Sequence, residues 1–339
     1  MVILGYNKVM KIIFFEVPKA EQSVFSQSLS GSELVFYEER LTENNADLAK
    51  DADIISVFVD SDINKNTIDK MVNLKFITTR STGFNHIDCE YAFGKGIRVA
   101  SVPAYGSHTV AEFAFGLMLN LSRKIATSNT YLKETLNYNY LPWMEGFNLE
   151  GKTLGVIGTG KIGKNVIKIA KGFEMNVLAF DLYPDAAFVK ENNFEYKSFA
   201  EVVSQSDIIT LHIPYTKENH HLINKENISM MKKGVYLINT ARGELVDTEA
   251  LIRGLKEGII AGAGLDVLEG EKQLQNVQNA ENEEIKKIVA LNHELIKMPN
   301  VMVSPHMAFY TREAIASIQQ TTIDNIKSFI SGNPINLIK

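Results

Sequence analysis

Arg242 closes the β-rich run GVYLINTAR, His306 closes VMVSPH, and two carboxylates, Glu269 and Glu271, sit in GLDVLEGE. Strand ends of an α/β sheet deliver side chains to one rim, where ligands bind. A guanidinium there grips a planar carboxylate through two parallel hydrogen bonds, which an ammonium does less well. An imidazole titrates near neutral pH and can give or take a proton. A carboxylate beside it stabilises the imidazolium. A fixed cation, a proton donor and a partner that tunes the donor are what reduction of a carbonyl next to a carboxylate requires. Glu271 is the candidate partner for His306, and spacing alone leaves Glu269 in competition with it. An Arg after a strand is also commonly a surface ion pair, and a lone His is commonly structural.

A second constellation lies upstream. Gly158-Thr159-Gly160-Lys161-Ile162-Gly163 is a G-x-G-x-x-G string that follows the strand-like TLGVIG and opens a helical pattern. Asp181 ends the next strand-like run, eighteen residues after Gly163 (181 − 163). In this context the string reads as a dinucleotide turn. Gly158 permits the tight turn, Gly160 admits a pyrophosphate against the backbone, and Gly163 lets helix and strand pack closely. The helix N-terminus supplies free N–H groups for the phosphates. Asp181 suits ribose hydroxyls and repels a 2′-phosphate. Leu182 and Tyr183 follow it with no Arg nearby, so the expected cofactor is NAD rather than NADP.

These residues need strands to carry them. Runs at 11–17, 53–60, 75–81 and 97–102 read as buried strands in the first third. Runs at 153–158, 176–181, 207–214, 234–241, 261–267 and 301–306 continue the pattern. Helical patterns intervene. Residues 161–173 place Ile162, Val166, Ile169 and Ala170 on one face, and Asp247 is an N-cap for a helix stopped by Gly258. The run 109–125 is apolar nearly all round and must be buried, between domains or between subunits. Residues 138–152 read as a connection. A last helix, about 311–330, carries Ile315, Ile318, Ile323, Ile326 and Ile330 on one side. Strand–helix alternation over 339 residues predicts an α/β chain of two doubly wound parallel-sheet domains. The segment 272–299 is Asn/Gln-rich, then helical near Ile285–Ile296, and suggests no role.

Composition narrows the class. Apolar residues are 45% and charged residues 22%, enough for two cores, and the net charge of −5 argues against a nucleic-acid or anionic-membrane partner. No apolar run is long enough to span a membrane. Lys8 and Lys11 interrupt the apolar start, so it is not read as a signal peptide. Cys89, the sole cysteine, forms no intramolecular disulfide and suits a reducing cytosol, so a cytoplasmic location is expected. His220 and His221 are expected to be solvated, His108 and His212 structural or cofactor-adjacent, and Trp143 a packing residue. No metal site is expected.

At RSTGFNHID, VPAYGSHTVAEFA, GKTLGVIGTGKIG, LHIPYTKENHHLI, INTARGELVD, GLDVLEGE and SPHMAFYT, the sequence resembles the D-isomer-specific 2-hydroxyacid dehydrogenases, most closely their lactate-type members. The resemblance runs from about residue 50 to 335. It implies an Arg–Glu–His catalytic set at Arg242, Glu271 and His306, choosing Glu271 over Glu269. It implies two Rossmann-like domains: a flavodoxin-like substrate domain from residues 1–107 and 308–339, and an NAD-binding domain from 108–307. Thr82 and Gly83 match the loop that holds the substrate carboxylate; Tyr105, Phe309 and Phe58 match pocket residues. Lys161 and Ile162 fill the phosphate turn, while Ile213, Pro214, Asn219, Thr240, Ala241 and Asp266 line the cofactor. The implied reaction interconverts a small 2-oxo acid and its D-2-hydroxy acid, pyruvate and D-lactate first. Alternatives are 2-oxoisocaproate, hydroxypyruvate or glyoxylate as substrate, or a non-catalytic NAD-sensing binding protein. Members usually form homodimers through their cofactor domains, which suits the apolar helix 109–125. Ser107-His108 and the absence of Pro after Glu271 depart from the lactate-type pattern.

Overall fold

The computed structural model describes residues 9–274 and 282–339. Residues 1–8 of the apolar start and 275–281 of the polar segment 272–299 lie outside the described residues. The chain divides into two compact units, one of residues 1–105 with 311–339, the other of 106–310.

The first unit carries five parallel strands in the spatial order Glu33–Phe36, Lys11–Phe14, Ile54–Val57, Phe76–Thr79, Arg98–Ala100. Taken in chain order this is 2-1-3-4-5, the flavodoxin-like arrangement. Alternate residues serve opposite faces. Ile12, Phe14, Ile54 and Phe76 pack with Phe25, Ile323 and Ile326, whereas Ile13, Phe15, Ile55 and Ile77 pack with Leu41 and Ile68. Burial on both faces explains why these strands read as continuous apolar runs.

The second unit has seven parallel strands in the order Val301–Val303, Ile260–Leu265, Val235–Asn239, Ile208–Leu211, Thr153–Ile157, Asn176–Phe180, Glu195–Tyr196. Counted within the unit this is 7-6-5-4-1-2-3, a doubly wound sheet whose strand order reverses between Thr153–Ile157 and Ile208–Leu211. Dinucleotides bind at such a switch point, beyond the carboxyl ends of the strands.

Sequence patterning missed Glu33–Phe36 and Glu195–Tyr196. Both are short edge strands with no fully buried residue: Leu34-Val35-Phe36 is an apolar run of only three, and Glu195–Tyr196 is two residues long, too brief to read as strands. Other strands are shorter than expected: 11–17 ends at Phe14 and 53–60 at Val57. Phe15 and Val17 stay buried all the same, just past the strand, with amides that still donate to Ser56 O (2.9 Å) and Tyr37 O (3.1 Å). On Lys161–Gly172 the buried face is Gly163, Val166, Ile167 and Ala170, with Ile162 and Ile169 at its margin. On Arg312–Ile330, Ile330 is exposed, and polar Thr322 and Asn325 take interior places. Asn325 earns burial by donating to the Ser101 carbonyl (3.0 Å) and accepting from Asn336 (2.8 Å).

The apolar helix Ser107–Arg123 is buried, but within the second unit, against Lys161–Gly172 and Ile260–Leu265. Gly264 makes room for it, since a Cβ there would lie 2.9 Å from Leu117. Its apolar character therefore needs no second subunit. Among the described residues no helix is long and apolar enough to cross a membrane.

Candidate active site

The turn after Thr153–Ile157 is built as its glycines require. Gly158 has φ +96°, and a Cβ there would lie 2.5 Å from Ile213 and 2.8 Å from the His212 backbone. A Cβ at Gly163 would overlap the Gly158 carbonyl oxygen. A Cβ at Gly160 would meet nothing within 4 Å among the described residues, which suits an approaching pyrophosphate. Lys161 and Ile162 open the helix, the first exposed and the second half-buried. Asp181 accepts from the Thr159 amide (2.6 Å), the Thr159 hydroxyl (3.0 Å) and the Tyr183 amide (2.9 Å). Burial pushes its pKa up, yet these donors outweigh burial and hold the carboxyl below its usual range.

The neighbouring strand ends continue the rim. His212 and Thr240 follow Ile208–Leu211 and Val235–Asn239. His212 Nε2 lies 2.8 Å from the Thr210 hydroxyl, and burial lowers its pKa to about 3, so the ring is neutral. Its Nδ1 and the Thr240 hydroxyl are buried without a partner among the described residues. Orphaned polar atoms beside an open glycine turn fit a polar cofactor. Ile213 is half-buried and Pro214 exposed, while the Asn219 amide closes their loop by donating to Pro214 O (2.8 Å) and accepting from Thr216 N (2.8 Å).

Arg242 follows the same strand as Thr240. Buried Asn239 shapes this turn, accepting from Ala241 N (3.0 Å) and donating to Arg242 O (2.8 Å). Arg242 Nη1 donates to Ala241 O (2.6 Å). Gly243 then lies against the Leu268–Glu269 peptide, so close that any Cβ would overlap it. That contact presses the Arg242 loop onto the turn bearing Glu271. His306 Nδ1 lies 2.7 Å from Glu271 Oε1. Burial would lower the His306 pKa; the Glu271 hydrogen bond and charge outweigh it, with Arg242 opposing and Asp266 assisting, and the net direction is up. Arg242 thus stands near enough for its field to reach the imidazole.

Asp266 organises the His306 turn. Its buried carboxylate accepts from Ser304 Oγ (2.6 Å), Met307 N (2.9 Å) and Ala308 N (2.8 Å), and its carbonyl accepts from His306 N (2.8 Å). His306 itself is held at φ +51°, a left-handed conformation that a non-glycine residue adopts only under surrounding constraint. Phe309, three residues on, is half-buried, as is Ala241 beside Arg242.

In the first unit, Thr82 is exposed and its hydroxyl donates to Val102 O (2.8 Å), while Ser81 donates to Gly83 O (2.6 Å). Phe58 and Tyr105 are half-buried. Sequence reasoning gave no role to Arg80 or Glu16. Arg80 is buried, donates to Ser56 Oγ (3.0 Å), Phe15 O (2.7 Å) and Glu16 O (2.8 Å), and lies 5.8 Å from the Phe58 ring centre. Burial lowers its pKa to about 10, leaving it cationic. Glu16 accepts from Phe58 N (2.8 Å) and Asp60 N (2.9 Å), fixing the Phe58 loop.

Comparison with known proteins decides the family. The sequence model of the "D-isomer specific 2-hydroxyacid dehydrogenase, NAD binding domain" matches residues 115–308. The chain belongs to the D-isomer-specific 2-hydroxyacid dehydrogenases. It is 38% identical over 328 residues to the D-lactate dehydrogenase of Escherichia coli K12, covering 95% of this chain and 98% of that one. It is 43% identical over 289 residues to an aromatic 2-oxoacid reductase of Clostridium sporogenes, covering 84% and 85%. Among solved structures, the D-lactate dehydrogenase of Aquifex aeolicus complexed with NAD and lactic acid matches with TM-score 0.85 and 38% identity, over 95% of this chain and 96% of that one.

One histidine assignment needs correction for this 2-hydroxyacid dehydrogenase. His221 is not simply solvated: its Nε2 lies 2.7 Å from Glu269 Oε1. Glu269, the rival carboxylate, is therefore engaged with His221 and with the Thr248 hydroxyl (3.2 Å), on a side chain only 13% exposed. Sequence spacing had no means of pairing residues 48 apart. His220 is exposed as expected, and Trp143 packs edge-on against Tyr131.

Proposed function

We propose that this chain is an NAD-dependent D-lactate dehydrogenase, reducing pyruvate with NADH to D-lactate and running in reverse. The observation that carries the reading is the His306–Glu271 pair at 2.7 Å, on the same sheet rim as the open glycine turn. NADH, when bound at 158–163 with Asp181 toward its ribose, supplies the hydride. Arg242 grips the substrate carboxylate. His306, its Nδ1 held by Glu271, gives its Nε2 proton to the carbonyl oxygen as negative charge develops there. In the oxidative direction neutral His306 takes that proton. Thr82, Gly83, Tyr105, Phe58 and Phe309 are the proposed substrate-binding residues. Ile213, Pro214, Asn219, Thr240, Ala241 and Asp266 are the proposed cofactor-lining residues.

NADH oxidation measured against pyruvate, 2-oxoisocaproate, phenylpyruvate, hydroxypyruvate and glyoxylate tests this. Pyruvate should give the highest kcat/KM. A higher value for phenylpyruvate would move the substrate to an aromatic 2-oxo acid, and no turnover with any would favour a binding protein. Arg242→Lys should raise KM for pyruvate about tenfold or more, because a charge-assisted bond contributes roughly 1.5–3 kcal/mol. An unchanged KM would remove Arg242 from the substrate.

The reading extends to a cytoplasmic homodimer with no nucleic-acid or membrane partner. Leu136, Tyr138 and Tyr140, each more than four-fifths exposed, support a second copy as cover for the segment after helix Ile125–Thr135, which itself buries no residue.

A further inference from the structure

We propose that His220, His221 and Glu269 form a site for a divalent transition-metal ion such as zinc or cobalt. The three side chains offer ligand atoms that all lie within 4.8 Å of one another. Two of the three are already fixed. His221 is held at φ +53° with its amide donating to Glu244 O (2.9 Å), which aims Nε2 at Glu269 Oε1. Glu269 is anchored through its carbonyl, which accepts from Asn292 Nδ2 (2.7 Å), and through its second carboxylate oxygen, which accepts from Thr248. Its position does not depend on the histidine pair.

His220 completes the set. Its ring stacks on His221 with centroids 3.8 Å apart, and its Nδ1 lies 3.4 Å from the Tyr215 hydroxyl. Ligand atoms bonded to zinc at about 2.0–2.1 Å stand roughly 3.3 Å apart in a tetrahedron. The wider separations, up to 4.8 Å, must therefore contract by as much as about 1.5 Å, which the exposed His220 supplies by rotating about its side-chain bonds, while the His221–Glu269 pair opens from 2.7 Å as the ion replaces its hydrogen bond. Two imidazoles and one carboxylate select borderline ions over magnesium and calcium, which prefer all-oxygen shells. Water fills the remaining position. Such an ion ties residues 220–221 to the 268–271 turn, so its occupancy also stiffens the backbone that carries Glu271.

Cobalt(II) titration of the purified protein reads the site directly, since tetrahedral or five-coordinate cobalt has intense visible bands and aqueous cobalt does not. One equivalent per chain should develop these bands, zinc should abolish them, and zinc should raise Tm. His220→Ala should keep the Tm of the metal-free protein and weaken cobalt binding on the order of a hundredfold, at least as much as losing an outer-shell partner. His220 has no role in the proposed chemistry, so NADH-dependent turnover without metal should be unchanged. Absence of bands in the wild type would overturn the proposal. So would equal binding by His220→Ala, which would place the ion elsewhere and leave His221–Glu269 a structural pair.

Discussion

His306→Ala should lower kcat for pyruvate reduction by about 10²- to 10⁴-fold, the usual contribution of a positioned general acid. The effect follows from the 2.7 Å Glu271 contact and the direction of the His306 pKa. Burial works against the imidazolium and Glu271 more than offsets it, so protonated His306 persists to higher pH than free histidine. Reduction needs the imidazolium: its rate should hold at low pH and fall as pH rises through the raised pKa. Oxidation needs the neutral ring and should rise over the same range. Glu271→Gln removes the raising cause, so the falling limb of reduction should move to lower pH. The pairing also stabilises the fold below the ordinary histidine pKa, and that stability is lost as pH rises through the raised value. kcat profiles of wild type and Glu271→Gln in both directions are the measurement. Full activity in His306→Ala, or an unmoved limb in Glu271→Gln, would show that the pair is not the acid–base device.

Gly243→Ala should be strongly damaging for a single added methyl group. Its Cβ would overlap the Leu268–Glu269 peptide, a backbone that cannot rotate away as a side chain can. Overpacking of this kind costs about 1–3 kcal/mol, more where backbone must move, and for a unit of about 200 residues each kcal/mol lowers Tm by roughly 2–4 °C. The clash also pushes the Arg242 loop off the turn that holds Glu271, so activity should drop in the folded fraction. Gly116→Ala is the matched control: it lies inside helix Ser107–Arg123 with nothing within 4 Å of its Cβ, and should be neutral or slightly stabilising. Calorimetry of the two variants separates them, and similar Tm values would mean that the 243–268 contact yields easily.

Much of the architecture was legible because it is periodic. Buried parallel strands advertise themselves as apolar runs, and the edge strands at Glu33–Phe36 and Glu195–Tyr196 do not, since they are short and only partly covered. The glycine turn was legible because it is local: three glycines, a strand before, a helix after and an acid beyond. Helix 109–125 was half legible. Its composition demanded burial, while the partner that buries it, Lys161–Gly172, shares no local pattern with it.

The sequence by itself determined the strand–helix alternation, the dinucleotide turn and the kinds of side chain at the strand ends, because each is written in neighbouring residues. Tertiary structure alone decided which carboxylate meets which imidazole. Glu269 and Glu271 stand on either side of Gly270, whose φ of +66° turns the chain between them. One carboxylate therefore reaches His221 and the other His306. Side-chain direction beyond an irregular turn depends on what packs against that turn, here Gly243 and Asn292, and linear spacing carries no record of it.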